Sequence, residues 1–288
     1  MNACIGEKIA AVSKKAQTTR NQIRGIITTG STQLVFVDTP GLHKGRKLPA
    51  INSRMMQEAW RSLEGLDLAC YLIDTGVGIS THESLFLKQL CERANCPVLI
   101  LLTKTDKYKN KLVDEKTKEV SDFLRDLAPH LSTRVTSLGF SQPLQCSAKA
   151  KDMVKNLIRI VCSAIPQGEW QYDVDAMTDV STQFLVSEFI REQIFRQLGD
   201  ELPYGSGVMI DRFEEKEVTH IDATIYVPRE GHKRIMVGKQ GKTIKAIGSE
   251  ARKSVENLLQ NKVMLRLFVS VEKKWTEHPG AIHQIQGI

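Results

Sequence analysis

Short apolar runs and longer amphipathic stretches alternate through the first half of the chain: strand-like 33–37, helix-like 50–64, strand-like 68–74, helix-like 82–94 and strand-like 97–102. A charged helical segment over 114–127, a short strand around Leu144-Gln145-Cys146 and a helix over 152–165 follow. Strands that alternate with helices predict βαβ units and a largely parallel sheet. The stretch Pro166-Gln167-Gly168-Glu169-Trp170-Gln171-Tyr172 breaks this rhythm with Pro and Gly. The expected division is therefore a first domain over 1–167, a linker over 168–182 and a second domain over 183–288. The second domain opens with a helix over 183–198, in which Phe184, Leu185, Phe189 and Ile190 recur at helical spacing. Strand-like runs at 207–213 and 218–227 come next, the second alternating through Ile221, Ala223, Ile225 and Val227. A short helix over 230–237, the turn Gly238-Lys239-Gln240-Gly241, a long helix over 242–259 and a strand over 263–271 complete an α-β-β-α-α-β order.

Three polar strings stand where buried strands should end. Asp38-Thr39-Pro40-Gly41 follows Leu34-Val35-Phe36-Val37, Thr103-Lys104-Thr105-Asp106 follows another apolar run, and Ser147-Ala148-Lys149 comes last. The carboxyl ends of strands form the ligand crevice of an open α/β sheet. In this order the strings spell a guanine-nucleotide site. The Asp106 carboxylate can accept from the N1–H and N2–H₂ edge of guanine, which adenine does not offer. The Lys104 stem can lie along the base, the Thr103 hydroxyl can hold the loop, and the Ala148 N–H can donate to guanine O6 between Ser147 and Lys149. Asp38 would orient a Mg²⁺ shell, and Gly41 lets its backbone approach a γ-phosphate. Taken singly, Asp-Thr-Pro-Gly is a turn after a strand and Ser-Ala-Lys means almost nothing; the order and the strand context carry the reading. A threonine hydroxyl of Thr18-Thr19-Arg20 stands at a distance that suits a switch loop joining the Mg²⁺ shell. Nowhere does the chain contain the phosphate-loop string Gly-x-x-x-x-Gly-Lys-Ser/Thr.

Composition narrows the class without choosing the chemistry. An apolar fraction of 41% and a charged fraction of 25% in 288 residues are those of an ordinary globular chain. No apolar run approaches the ~20 residues that cross a bilayer, and the N-terminus lacks the profile of a secretory signal, so a cytosolic protein is expected. Cys4, Cys70, Cys91, Cys96, Cys146 and Cys162 show no Cys-x-x-Cys spacing and read as reduced, mostly core residues. The net charge of +7 favours a polyanion, either nucleic acid or an anionic membrane surface. The latter would place the chain peripherally at the inner face of the cell membrane.

Gly238-Lys239-Gln240-Gly241 between two helices matches the Gly-x-x-Gly loop with which KH domains clamp a single-stranded RNA backbone. Arg229, Lys233, Arg234, Lys239, Lys242 and Lys245 surround it, with Arg252 and Lys253 farther along and only Glu230 and Glu250 in opposition.

Together these strings resemble the Era GTPases, bacterial ribosome-assembly factors. The resemblance rests on Gly6-Glu7-Lys8-Ile9-Ala10-Ala11-Val12-Ser13, Ala16-Gln17-Thr18-Thr19-Arg20, Asp38-Thr39-Pro40-Gly41-Leu42-His43, Glu201-Leu202-Pro203-Tyr204 and Gly238-Lys239-Gln240-Gly241, and spans almost the whole chain. It implies a P-loop GTPase-type, mostly parallel α/β domain followed by a type II KH α+β domain. GTP and Mg²⁺ are the implied cofactors. Thr19, Asp38, Thr39, Pro40, Gly41, Leu42, Thr103, Lys104, Thr105, Asp106, Ser147, Ala148 and Lys149 fall at the nucleotide, with Thr19 and Asp38 on the metal. At the RNA stand Arg229, Lys233, Arg234, Gly238, Lys239, Gln240, Gly241, Lys242, Lys245 and Trp275. The implied partners are the 3′ end of 16S rRNA and the small ribosomal subunit; no stable protein partner is inferred. Leu42 stands where Ras-like proteins carry the water-orienting glutamine, so no catalytic residue is assigned. In that family Gly-Glu-Lys-Ile lies shortly after the phosphate loop, which would put Met1 inside the helix that the loop opens. An incomplete chain is the expectation. The alternative is a nucleotide-independent KH protein with a degenerate GTPase domain, and a tandem-domain GTPase such as Der fits less well because one set of motifs is present.

Overall fold

The computed structural model describes residues 1–12, 23–38, 60, 63–127, 142–199 and 202–273, the side chain of His82 excepted. Thr19, Thr39, Pro40, Gly41, Leu42, Trp275 and nearly all of the expected helix over 50–64 lie outside them. After a one-turn helix α1 (Asn2–Ile5) come β1 (Ile23–Thr29) and β2 (Thr32–Asp38), an antiparallel pair in register from Ile23↔Asp38 to Thr29↔Thr32. The periodicity did not anticipate β1. Its cue is the Gly30-Ser31 connection: Gly30 at φ 58 supplies the left-handed conformation that a two-residue hairpin turn requires.

The strands β3 (Ala69–Asp74), β4 (Val98–Thr103) and β5 (Leu144–Gln145) pair in parallel in the order β3-β4-β5. Central β4 is a continuous apolar run because helices cover both of its faces. On one face Ile100 and Leu102 pack with α2 (Thr81–Arg93) and α3 (Asn110–Leu127) through Leu87, Leu90, Val120 and Leu124. On the other, Leu99 and Leu101 meet Leu157 and Val161 of α4 (Lys151–Ala164) together with Leu34. Ser80 and Glu83 form a reciprocal capping box that starts α2. This layering sets the ends of β3, β4 and β5 side by side, with Asp74 opposite Thr103 and Leu102 opposite Gln145.

The second unit runs α5 (Thr182–Gln197), α6 (Leu202–Gly205), β6 (Gly207–Glu214), β7 (Thr219–Val227), α7 (Glu230–Val237), α8 (Lys242–Leu259) and β8 (Val263–Val271). Strand β7 lies between antiparallel β6 and parallel β8. Helices α7 and α8 provide the crossover that a parallel neighbour demands. Every second residue of β7, from Thr219 to Val227, is buried, and Ile221, Ala223 and Ile225 pack with Phe189, Ile194, Met236, Ile247, Ala251 and Val255. The short α6 is the element here that periodicity did not reveal.

Residues 170–180 lie against the hairpin. The Gln33 side-chain Oε1 accepts from the N–H groups of Gln171 and Tyr172, both at 3.0 Å; the Ile26 N–H donates to Met177 O at 2.9 Å; and Arg24 Nη1 lies 2.7 Å from Asp179 Oδ2. All six cysteines are free; Cys91, Cys96 and Cys146 are buried and Cys70 is exposed. Among the described residues no helix is long and apolar enough to cross a membrane.

Candidate functional site

At the end of β4 the Thr103 hydroxyl donates to Ile73 O at 2.9 Å, and Thr103 O in return accepts the Thr75 hydroxyl at 2.7 Å. Strand β3 and the loop after β4 are thereby fixed to each other. The chain then turns sharply: Lys104 adopts a left-handed conformation, φ 61 and ψ 27, and Thr105–Lys107 form a single 3₁₀ turn. A non-glycine residue held there costs on the order of 1 kcal/mol and persists only where its surroundings compensate. The compensation is visible. Lys104 Nζ lies 2.5 Å from Asp74 Oδ2, and Asp74 Oδ1 accepts the Gly76 N–H at 3.0 Å. Burial pushes the Asp74 carboxyl up, but the bonds from Lys104 and Gly76 outweigh it and hold the group below the usual carboxylate range.

Thr105 is buried and its hydroxyl donates to Cys146 O at 3.2 Å, stapling the loop after β4 to the one after β5. Buried Ser147 donates to Asp106 Oδ1 at 2.7 Å and accepts the Lys149 N–H at 3.2 Å, while Lys149 Nζ stands 3.7 Å from Asp106 Oδ2. The Ser147 hydrogen bond, with Lys149 beside it, keeps the Asp106 carboxyl below the ordinary range. A carboxylate ionised at neutral pH and aimed by a serine is what reading the donor edge of guanine requires. Structure thus brings Thr103, Lys104, Thr105, Asp106, Ser147, Ala148 and Lys149 into one pair of loops. Asp38, the last residue of β2, sits opposite Ile23 in the hairpin. Among the described residues no group of three or more His, Cys, Asp or Glu side chains is arranged to hold a metal. Replacing Thr105 by Val removes the staple, leaves a buried carbonyl without its hydroxyl partner, and should lower stability by about 1 kcal/mol; a urea titration against the unaltered chain measures it.

The glycine loop is built from three positive-φ residues: Gly238 at φ 73 with an extended ψ of 174, and Gln240 at φ 52 and Gly241 at φ 73 in the left-handed conformation. Its two glycines serve different ends. A Cβ at Gly238 would stand 2.1 Å from Thr243 Oγ1 and 3.0 Å from the Thr243 nitrogen, so this glycine lets the first turn of α8 close on the loop. At Gly241 a Cβ would meet nothing within 4 Å. That open space lies at the start of α8, whose N-terminus attracts anions. Among the described residues, none of Arg229, Lys233, Arg234, Lys239, Lys242 and Lys245 forms an ion pair, whereas Arg252 and Lys253 are engaged by Glu256 and Glu250. The outer cations around the loop are thus available to phosphate.

Beside the loop, a groove of about 230 Å³ opens between α8 and β8, walled by Ile244, Gly248 and Ser249 on the helix and Leu265 and Leu267 on the strand. Sequence reading missed these residues. Their one signal is Gly248 in mid-helix, where a Cβ would come within 3.3 Å of Leu267 Cδ1 and narrow the groove.

Fold and sites together define a GTPase-type nucleotide-binding domain followed by a type II KH domain. Residues 1–104 match the family described as 50S ribosome-binding GTPase, and residues 201–276 match the KH domain. GTPase Era of Trichlorobacter lovleyi is 38% identical over 287 residues, covering 99% of this chain and 91% of the relative; GTPase Era of Pseudomonas aeruginosa is also 38% identical, with 99% and 88% covered. The crystal structure of Era in complex with MgGDPNP and nucleotides 1506–1542 of 16S ribosomal RNA superposes with a TM-score of 0.82 at 27% identity, covering 99% of this chain and 92% of that one. An Aquifex aeolicus Era variant bound to GDP·AlF₄⁻ gives 0.84 at the same identity and coverage. The chain belongs to the Era GTPase family.

Proposed function

We propose that this protein is a GTP hydrolase that binds GTP with Mg²⁺, holds the 3′ end of 16S rRNA in its KH domain and assists small-subunit assembly. One observation carries the reading: a serine-oriented, ionised Asp106 beside the left-handed Lys104 stands on the same chain as a positive-φ glycine loop ringed by unpaired cations. The related Era crystal structure holds MgGDPNP and rRNA together.

In this reading residues 1–167 form the nucleotide unit, 168–182 the connection and 183–288 the RNA unit. Asp106 accepts from guanine N1–H and N2–H₂, Lys104 lays its stem along the base, and the Ala148 N–H meets O6. Thr103, Thr105, Ser147 and Lys149 hold the two loops around them. The Thr19 hydroxyl and the Asp38 carboxylate are hard oxygen donors of the kind Mg²⁺ takes, and Thr39, Pro40, Gly41 and Leu42 would flank the γ-phosphate. When bound, Mg²⁺ supplies charge neutralisation at the phosphates. At the other end Gly238, Lys239, Gln240 and Gly241 approach the RNA backbone, with Arg229, Lys233, Arg234, Lys242, Lys245 and Trp275 around it. A cytoplasmic location, with peripheral contact to an anionic membrane face, fits the +7 charge.

The RNA half is tested by titrating a labelled single-stranded oligomer of the rRNA 3′ end at several salt concentrations. Lys245→Ala should weaken binding only a few-fold and reduce the slope of log affinity against log salt by about 0.7, the share of one phosphate contact on a single strand. An affinity indifferent to salt would overturn RNA binding through this loop.

A further inference from the structure

Helix α4 carries a row of cations that nothing in the chain answers. Lys151, Lys155 and Arg159 follow one another at i, i+4 and i+8, so they share one face, and all three are exposed. At 1.5 Å per residue the row is about 12 Å long. The opposite face is committed to the core, where Leu157 and Val161 meet Leu99 and Leu101 of β4. Asp152 is the one acid of the helix, and no other follows until Glu169. Among the described residues none of the three cations forms an ion pair; Arg159 Nη2 donates to the neutral Asn156 Oδ1 at 2.9 Å.

Other long helices of the chain are charged differently. On α3 Lys116 pairs with Glu119 and Arg125 with Asp122, on α8 Lys253 pairs with Glu250, and on α5 Arg196 pairs with Glu192. An acid three or four positions from a cation stabilises a helix, whereas like charges at the same spacing destabilise it by a similar amount. The two like-charged steps of α4 therefore cost stability and gain nothing within the chain.

We propose that this face of α4 is a second RNA-docking surface, one that takes the phosphate backbone of a double-stranded stem. The inference rests on the RNA-binding reading above and adds a contact on the nucleotide unit. Its chemistry follows from what the face has and what it lacks. Cations that neutralise phosphates release condensed counterions, one for each contact, and this drives binding without regard to sequence. Single strands gain further from bases stacked on aromatic side chains, and α4 has no aromatic residue. A-form stems are instead gripped through phosphates and 2′-hydroxyls. A helix lying on a membrane turns its apolar side chains to the lipid; Val154, Leu157 and Val161 of α4 are buried in the protein.

Titration of a labelled RNA duplex of about 20 base pairs into the full 288-residue chain, read by fluorescence anisotropy at several salt concentrations, tests the surface. In the unaltered chain affinity should fall steeply as salt rises. The triple variant Lys151→Gln, Lys155→Gln, Arg159→Gln should bind at least about tenfold more weakly at about 50 mM salt and flatten the slope of log affinity against log salt by about 2 to 3, the share of three phosphate contacts. Its melting temperature should hold or rise, since like charges have left the helix. Lys155→Glu, which sets an acid four positions from both Lys151 and Arg159, should fold at least as well as the unaltered chain and also lose duplex binding. The control removes equal charge from cations that already have partners: Lys116→Gln, Arg125→Gln, Lys216→Gln should leave duplex affinity nearly unchanged. An unaltered chain that does not bind the duplex, or equal losses in the control and the α4 variants, overturns the proposal. So does an α4 variant that keeps duplex binding but no longer adheres to phosphatidylserine vesicles. Gly241→Asp should lose the single-stranded oligomer and keep the duplex, so failure of the glycine loop and failure of α4 are read on different probes.

Discussion

Gly241→Asp loses RNA binding by on the order of 100-fold at 0.1 M salt, while the melting temperature falls by only several degrees, the share of the roughly 1 kcal/mol that a non-glycine residue costs at φ 73. A Cβ at this position meets nothing within 4 Å, so the fold has room for the side chain. Asp also tolerates the left-handed conformation at φ 73 better than most residues. The added carboxylate points into the space where a phosphate must come. Two like charges about 4 Å apart repel by roughly 1 kcal/mol in water and about 4 kcal/mol at the effective dielectric near a protein surface. Gly238→Ala is the contrasting variant. Its methyl would press on Thr243 and prevent the first turn of α8 from closing, so stability falls first and RNA affinity follows. Oligomer titration beside thermal melting distinguishes the two. Equal affinity of Gly241→Asp and the unaltered chain would remove the glycine loop from the RNA site.

Asp106→Asn moves nucleotide preference from guanosine towards xanthosine triphosphate. The Ser147 hydroxyl can still donate to the remaining oxygen, so the side chain keeps its orientation. Its other arm becomes an amide that presents a donor to guanine's own amino group, and meets instead the C2 carbonyl of xanthine. Hydrogen bonds to a charged group contribute about 1.5–3 kcal/mol each. Loss of one of them and weakening of the other to a neutral bond lower GTP affinity by on the order of 100-fold. Competition binding with the two triphosphates measures the change, and retained GTP preference would take Asp106 out of the base site.

What the sequence by itself determined is nearly every element of the KH unit and the order of the nucleotide strings. The helix over 230–237, the helix over 242–259 and the strand over 263–271 have the bounds that periodicity and glycine punctuation predicted. They depend on local rules: apolar spacing within each element, and the punctuation of Pro228, Gly238 and Gly241 around the two helices. Strand β1 escaped because its value lies in pairing with β2 and in the support of residues 170–180, both of which are contacts across the chain. Only the tertiary structure decided that the loops after β4 and β5 share one site, since Thr105 to Cys146 and Ser147 to Asp106 are hydrogen bonds across 41 positions. It alone assigned Asp74 as the partner of Lys104, because that pairing needs β3 and β4 side by side in parallel register. Helix α5 makes the contrast plainest. Periodicity picks out Phe184, Leu185, Phe189 and Ile190 as its inner face, yet Glu188, Arg191, Glu192 and Gln193 are buried as well. A helix declares its apolar stripe in its own residues, whereas what covers its polar side is a property of distant chain, here Lys8 and Val12, that no local pattern encodes.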